Sequence, residues 1–181
     1  MPAIVYDIDP AHSSAQFSVR HMMISNVKGE FTKVSGTVAF DTDNPADSKV
    51  EATIDVSSLH TRDEQRDGHL KSPDFLDAAT FPEIKFVSKS VEKHGEGEHL
   101  VKGDMTIHGV TKEVTLRVDG PTPEMKDPWG NLRAGASATA KISRKDFGLV
   151  WNVAMETGGV LVGDQVSITL EVELIRRAAQ A

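Results

Sequence analysis

Seven histidines are the first candidates for chemistry in this chain of 181 residues. His12 and His21 flank one apolar-alternating segment, His60 and His69 flank a helical one, and His94, His99 and His108 lie in or near turns. A helical metal pair needs histidines four apart with supporting ligands, and no spacing here supplies that, so no metal is expected. The absence of cysteine removes disulfides, thiolate ligands and a cysteine nucleophile together. No Gly-x-Ser-x-Gly elbow, phosphate-cradling glycine loop or His-Glu-x-x-His pair is present. Scattered Ser, His and Asp select no triad. No catalytic residue is assigned, and the chain reads as a protein without enzymatic activity.

Two polar clusters remain. In Arg66-Asp67-Gly68-His69-Leu70, His69 is either a hydrogen-bonded structural residue or a contact for the polar head of a ligand. Arg66 and Asp67 form either a polar network or ordinary helix-surface charge pairing, which is weak. In Arg144-Lys145-Asp146, Arg144 is placed to attract an anionic or polar head, since charge-assisted bonds are the strong ones. The same segment reads equally as a strand-end turn held by Asp146. The stretch that follows, with Phe147, Leu149, Trp151, Val153 and Met155 among glycines, reads as a lid over an apolar cavity, an interface, or packing beneath a sheet.

The elements that must position these groups are strands. Val outnumbers Leu by 19 to 10, and β-branched side chains fit a pleated surface better than a helix. Ala15, Phe17 and Val19 alternate with polar residues; so do Val34 to Phe40, Val50 to Val56, Val101 to Ile107, Val114 to Val118 and, most clearly, Val166 to Leu174. One apolar face and one solvated face per strand is the pattern of antiparallel sheet. Phe31 and Val34 cannot share a face in a regular strand, so a bulge is expected near Thr32-Lys33. Turn residues separate the runs at 41–45, 94–97, 108–109 and 119–121. One helix is expected from Thr61-Arg62-Asp63-Glu64, read as a capping box, to about Lys71, where Ser72-Pro73 stops it. Phe75-Leu76 then falls over the open end of the sheet.

The charge balance is 20 basic against 27 acidic residues. That argues against nucleic acid as a partner and against adsorption to anionic lipid heads. No apolar run reaches the roughly 18 residues of a membrane span, so no stable membrane insertion is expected. The opening residues carry no basic region followed by an apolar one, so no signal peptide is read and the expected location is cytoplasmic. No repeat or linker divides the chain, which is read as one domain over residues 1–181.

About eight one-sided strands suggest closure into a barrel, because closure removes exposed edges. A barrel of that size has an interior that side chains fill, or that holds one small ligand. The strand over residues 132–142 puts Ala134, Ala136, Ala138 and Ala140 on one face, leaving room that larger residues would have taken. Bulky partners such as Phe17, Phe86 and Met105 could fill the gap instead. Any cavity would be lined by hydrocarbon, so an apolar ligand is the economical expectation. At about 0.8 kcal/mol per methylene, a five-carbon unit contributes about 4 kcal/mol before ordering costs.

Five blocks of residues then carry a family resemblance. They are Asp9-Pro10-Ala11-His12-Ser13 leading into Phe17-Ser18-Val19-Arg20-His21, and Ser25-Asn26-Val27-Lys28-Gly29-Glu30-Phe31 closing with Gly36 and Phe40-Asp41. The third runs from Arg66-Asp67-Gly68-His69 through Phe75-Leu76-Asp77 to Phe81-Pro82-Glu83-Ile84-Lys85-Phe86. The last two are Gly103-Asp104-Met105-Thr106-Ile107-His108-Gly109-Val110-Thr111-Lys112 and Ile142-Ser143-Arg144-Lys145-Asp146-Phe147-Gly148. Together, in order, they resemble the YceI-like polyisoprenoid-binding family across nearly the whole chain.

The resemblance implies an all-β fold: a single closed, lipocalin-like antiparallel β-barrel of about eight strands with one or two short helices. It implies a polyisoprenoid quinone or prenyl phosphate in the lumen, no other cofactor, and a possible homodimer. Strand parity and placement near the mouth assign the lipid contacts to Phe17, Val19, Phe31, Val38, Ile54, Phe75, Leu76, Phe86, Met105, Ile107, Ala136, Ala138, Phe147 and Trp151. His69 and Arg144 are the head-group candidates.

Overall fold

Side chains on an extended backbone point alternately to opposite faces, and the period-2 segments form strands accordingly. The computed structural model describes residues 3–156 and 158–178. Its strands and single α-helix are β1 (Ile4–Ile8), β2 (Ser14–His21), β3 (Ser25–Phe31), β4 (Val34–Phe40), β5 (Lys49–Asp55), β6 (Leu59–His60), α1 (Glu64–Lys71), β7 (Glu83–Gly95), β8 (Glu98–Ile107), β9 (Val110–Asp119), β10 (Met125–Lys126), β11 (Leu132–Ser143) and β12 (Val162–Arg176).

Eight of these strands close on themselves in the order β1-β4-β5-β7-β8-β9-β11-β12, with β12 returning to β1, and every pairing is antiparallel. Closure gives every strand of the ring a partner on both sides over at least part of its length. The fifteen-residue β12 is long enough to serve two neighbours along one edge. Its last turn of pleat pairs with β1, Ile8 opposite Leu174, and its earlier part pairs with β2, Phe17 opposite Ile168. The β2–β3 hairpin therefore continues the wall beyond β1, towards the end that α1 covers.

This arrangement corrects the bulge expected at Thr32-Lys33. Thr32 and Lys33 lie between strands, not within a paired one: the chain leaves β3, paired with β2, and enters β4, paired with β1 and β5. The change of partner lets Phe31 and Val34, of opposite parity, both be buried and both face inward.

The helix start also differs from the sequence expectation. Asp63, not Thr61, is the N-cap, its carboxylate accepting the Arg66 N–H at 3.0 Å. Thr61 is buried instead, and its hydroxyl donates to Asp67 at 2.6 Å and accepts from Arg66 Nε at 2.7 Å. Arg66 Nη2 adds a bond to the Thr61 carbonyl at 2.6 Å. Arg66 and Asp67 thus tie α1 to the chain segment that enters it, which fixes the helix over the barrel end.

Strands β9 and β11 pair only over residues 117–119 against 137–139. Beyond that they diverge, and Phe147, on the 3-10 turn Arg144–Phe147, packs into the space beside Val114 and Ile142. It is 1% exposed and seals the wall. Elsewhere two glycines let aromatic rings lie flat on the wall. Phe17 covers Gly29 directly across the β2–β3 pair, and the Phe86 ring covers Gly103, where an added Cβ would also approach the Val87 carbonyl to 2.5 Å.

Candidate functional site

The barrel is hollow. A continuous cavity of about 880 Å³ runs through it, towards the upper end of the roughly 300–1,000 Å³ usual for small-molecule sites. Its wall is hydrocarbon for most of its length. Strand β12 alone contributes Val166, Ile168, Leu170, Val172 and Leu174, all on the face that its alternation turns inward.

The two ends differ. At one, the lining residues Ser48, His99 and Gly120 are buried, and the imidazole of His99 is edge-on to Phe40 with centroids 5.3 Å apart. His99 Nδ1 donates to the Gly120 carbonyl at 3.0 Å, so this end is blind and its polar group is partnered. At the other end the lining residues Arg20, Asp63 and Gln65 are exposed, and the cavity meets solvent beneath α1.

Three rings stand at that mouth. His69, Phe75 and Trp151 lie with centroid separations of 5.1 Å (His69–Phe75), 4.7 Å (His69–Trp151) and 5.2 Å (Phe75–Trp151). The two contacts of the imidazole are edge-on, a preferred aromatic geometry. His69 Nε2 lies 2.9 Å from the Asp74 carboxylate, which orients the ring. The helix and the 148–161 loop therefore meet over the opening through aromatic contacts.

Of the residues assigned from sequence, Phe17, Val19, Phe31, Val38, Ile54, Phe75, Leu76, Phe86, Met105, Ile107, Ala136, Ala138 and Trp151 all line this one cavity. His69 and Arg144 line it too. Phe147 does not: it is the seam plug described above, buried between β9 and β11 rather than turned to the lumen. Only part of the alanine row behaves as expected. Ala136 and Ala138 face the cavity opposite Val172 and Leu170, whereas Ala134 and Ala140 are packed in the core outside it.

Arg144 has a different duty from the one anticipated. Although 3% exposed, its guanidinium is almost fully engaged with backbone carbonyls. Nε donates to Gly163 at 2.8 Å, and Nη1 to Leu149 and Trp151 at 2.7 and 2.8 Å. Nη2 reaches Val162 at 3.3 Å and lies 3.7 Å from the Asp164 carboxylate. Burial draws its pKa downward and Asp164 opposes this; an arginine stays charged regardless. Its donors hold the 148–161 loop to β12, which leaves His69, partly exposed at the mouth, as the head-group candidate.

The inward face of β12 and the blind-end pair Phe40 and His99 were not among the assigned contacts. The β12 signal was present in its alternation. That of His99 was not, because an exposed turn histidine and a buried end-cap read alike in sequence. Among the described residues, the one group with metal-ligand geometry is Asp9, His12 and Glu173, outside the cavity. Arg133 already lies 2.8 Å from the same Asp9 carboxylate, so the cluster is an ion-pair network balanced by its own cation. His12 holds Asp9 below the ordinary carboxylate range, with Arg133 helping, and Asp9 raises His12 in turn.

A closed eight-stranded antiparallel barrel with an apolar lumen and a mouth under one helix is a lipocalin-like binding fold. Within that class, the chain belongs to the YceI-like domain family, whose profile matches residues 6–174. It is 40% identical over 156 residues to a UPF0312 protein of Shewanella denitrificans, covering 86% of this chain and 81% of that relative. The crystal structure of Burkholderia cenocepacia BcnA superimposes with a TM-score of 0.75 at 26% identity, covering 92% of this chain and 98% of that one. A polyisoprenoid binding domain from Saccharophagus degradans shares the fold with a TM-score of 0.67 at 16% identity, over 96% and 99% of the two chains.

Proposed function

We propose that the protein binds one long-chain polyisoprenoid lipid, an isoprenoid quinone or a prenyl phosphate, inside the barrel, and carries, stores or senses it without chemically changing it. The observation that carries this reading is the cavity: about 880 Å³, enclosed by a complete ring of strands and walled by aliphatic and aromatic carbon. Empty apolar space of that size is costly to maintain, whereas hydrocarbon filling it gains about 0.8 kcal/mol per methylene. A flexible prenyl chain suits an apolar lumen that runs from an exposed mouth to an end lined by buried residues. The family membership points the same way.

The polar head belongs at the mouth, where Arg20, Asp63, Gln65 and His69 supply the polar lining. His69 is the head-group contact in this reading, oriented by Asp74. The tail lies along Phe17, Phe31, Phe86 and Met105 towards His99.

Titration with a fluorescent prenyl probe tests the reading. Saturable uptake at one probe per chain, competed by a long-chain isoprenoid quinone, is expected. A folded protein that takes up neither probe nor quinone overturns it, and turnover of the probe with loss of that turnover in His69→Ala would make it an enzyme instead.

A further inference from the structure

Nine large apolar side chains are exposed among the described residues, and six of them lie on two adjoining segments at one end of the barrel. Met22, Met23 and Ile24 form the tip of the β2–β3 hairpin; Val150, Val153 and Val160 belong to the loop over residues 148–161. Ile24 is 74% and Val150 63% exposed. Described residues of this loop pair across it, with Ala154 bridged to Val160 and the Leu161 N–H donating to the Val153 carbonyl at 2.9 Å. The two tips are fastened together: the Met22 N–H donates to the Leu161 carbonyl at 2.8 Å, and the Met23 sulfur packs on Gly159.

Two further observations bear on what this end meets. First, Met22 and Met23 hold left-handed backbone, φ 51° and 61°, at the centre of a turn closed by the Ile24 N–H to the His21 carbonyl at 3.1 Å. Asn-Gly takes that turn with less strain, so large apolar side chains stand where folding alone would place small polar ones. Second, the charge is local in sign. In a chain of net charge -7, the titratable residues between positions 20 and 28 are Arg20, His21 and Lys28; the loop adds only Glu156, and the acidic Asp63 and Asp74 stand on the helix side of the mouth. Arg20 holds its guanidinium on the Met23 carbonyl at 3.1 Å, at the base of the tip.

The tips also rim the cavity. His21, Trp151, Leu161 and Val162 line the lumen, and each lies one to three residues from an exposed apolar neighbour at the tips. We infer that these two tips are a membrane-docking surface that seats the open mouth on the interfacial layer of a lipid bilayer. A protruding pair of tips with a cationic base fits a deformable, anionic interface, and hydrocarbon passing from bilayer to lumen would then avoid water. Docking is peripheral and reversible; no helix of the described residues is long and apolar enough to cross a membrane. The purpose of the surface rests on the lumen reading, but its test does not.

The experiment is flotation of the full chain with vesicles of phosphatidylcholine, alone and mixed with phosphatidylglycerol, for the native sequence and for Met22→Asn/Met23→Gly. The double substitution supplies the preferred turn residues, so its melting temperature is expected to hold or rise. The native protein is expected to float, more so with phosphatidylglycerol, and the variant to partition about tenfold less while binding the prenyl probe as before. Equal flotation of both proteins, or none by the native one, overturns the inference. So does a native dimer that the variant breaks without any vesicle binding, which would make the patch a face for a second copy. Flotation without probe uptake would leave the docking surface standing and remove the lumen reading alone.

Discussion

The imidazole of His69 stands edge-on to the indole of Trp151, with ring centroids 4.7 Å apart. This contact joins the helix to the 148–161 loop at the mouth of the lumen, and Phe75 touches both rings. Each such aromatic contact is worth about 0.5–1.5 kcal/mol beyond its buried area. The three rings therefore narrow a mouth that stays open to solvent, through contacts small enough to break and re-form.

Trp151→Ala removes two of the three contacts while leaving the strands untouched. Release of a bound prenyl probe is expected to accelerate about tenfold, equivalent to about 1.4 kcal/mol of lost ring contact. Stopped-flow displacement measures it. An unchanged release rate would show that the rings do not gate the lumen.

Ala138→Phe adds a ring where the side chain faces cavity rather than neighbour. Probe affinity is expected to fall about tenfold or more, with stability changed by no more than about 1 kcal/mol. Chemical denaturation alongside the titration separates the two. Gross unfolding would mean that the space opposite Leu170 is already filled.

Arg144→Met takes the donors from three closely bonded carbonyls, those of Leu149, Trp151 and Gly163. Unpartnered buried acceptors are expected to cost about 3 kcal/mol, read as a lower denaturation midpoint. Lysine should not rescue it, because one ammonium cannot reproduce the fork that spans these oxygens. Rescue by lysine would assign the residue a simple charge role.

Tyr6 is the sole tyrosine, so the phenolate absorbance band reports on it alone. Burial, with the hydrogen bond to Glu124 at 2.7 Å, pushes its pKa up from 10.0 to about 12. The folded state then keeps a proton that the unfolded chain releases, so stability is full below pH 10 and falls as the pH rises from about 10 to 12. The total loss is roughly 3 kcal/mol. A spectrophotometric titration with a midpoint near 10 in folded protein would contradict the burial of this hydroxyl.

The residues that were legible in sequence are those whose role follows from parity. The inward positions of β8 and β12 alternate without interruption, so Met105, Ile107 and the Val166 to Leu174 row declare their face. Strand β3 did not declare itself, because Ser25, Asn26, Lys28 and Gly29 give no apolar stripe; it is a strand because β2 pairs with it and Phe17 needs the bare Gly29 to lie on. Thr61 carries the residue type of an N-cap but is drawn inward by Arg66 and Asp67, which local pattern does not weigh. Phe147 is apolar and near the mouth, yet the divergence of β9 from β11, a property of the closed ring, turns it into a plug. Arg144 shows the same limit: its charge was legible, and the carbonyls that consume it are brought together only by the fold.

The most direct test of a hollow, lipid-holding barrel is native mass spectrometry of the full chain after incubation with a long-chain isoprenoid quinone and removal of excess. A folded species heavier by one quinone per chain is expected, and that species is expected to be lost in Ala138→Phe. A folded protein that shows only its own mass under these conditions would contradict a lipid-holding barrel.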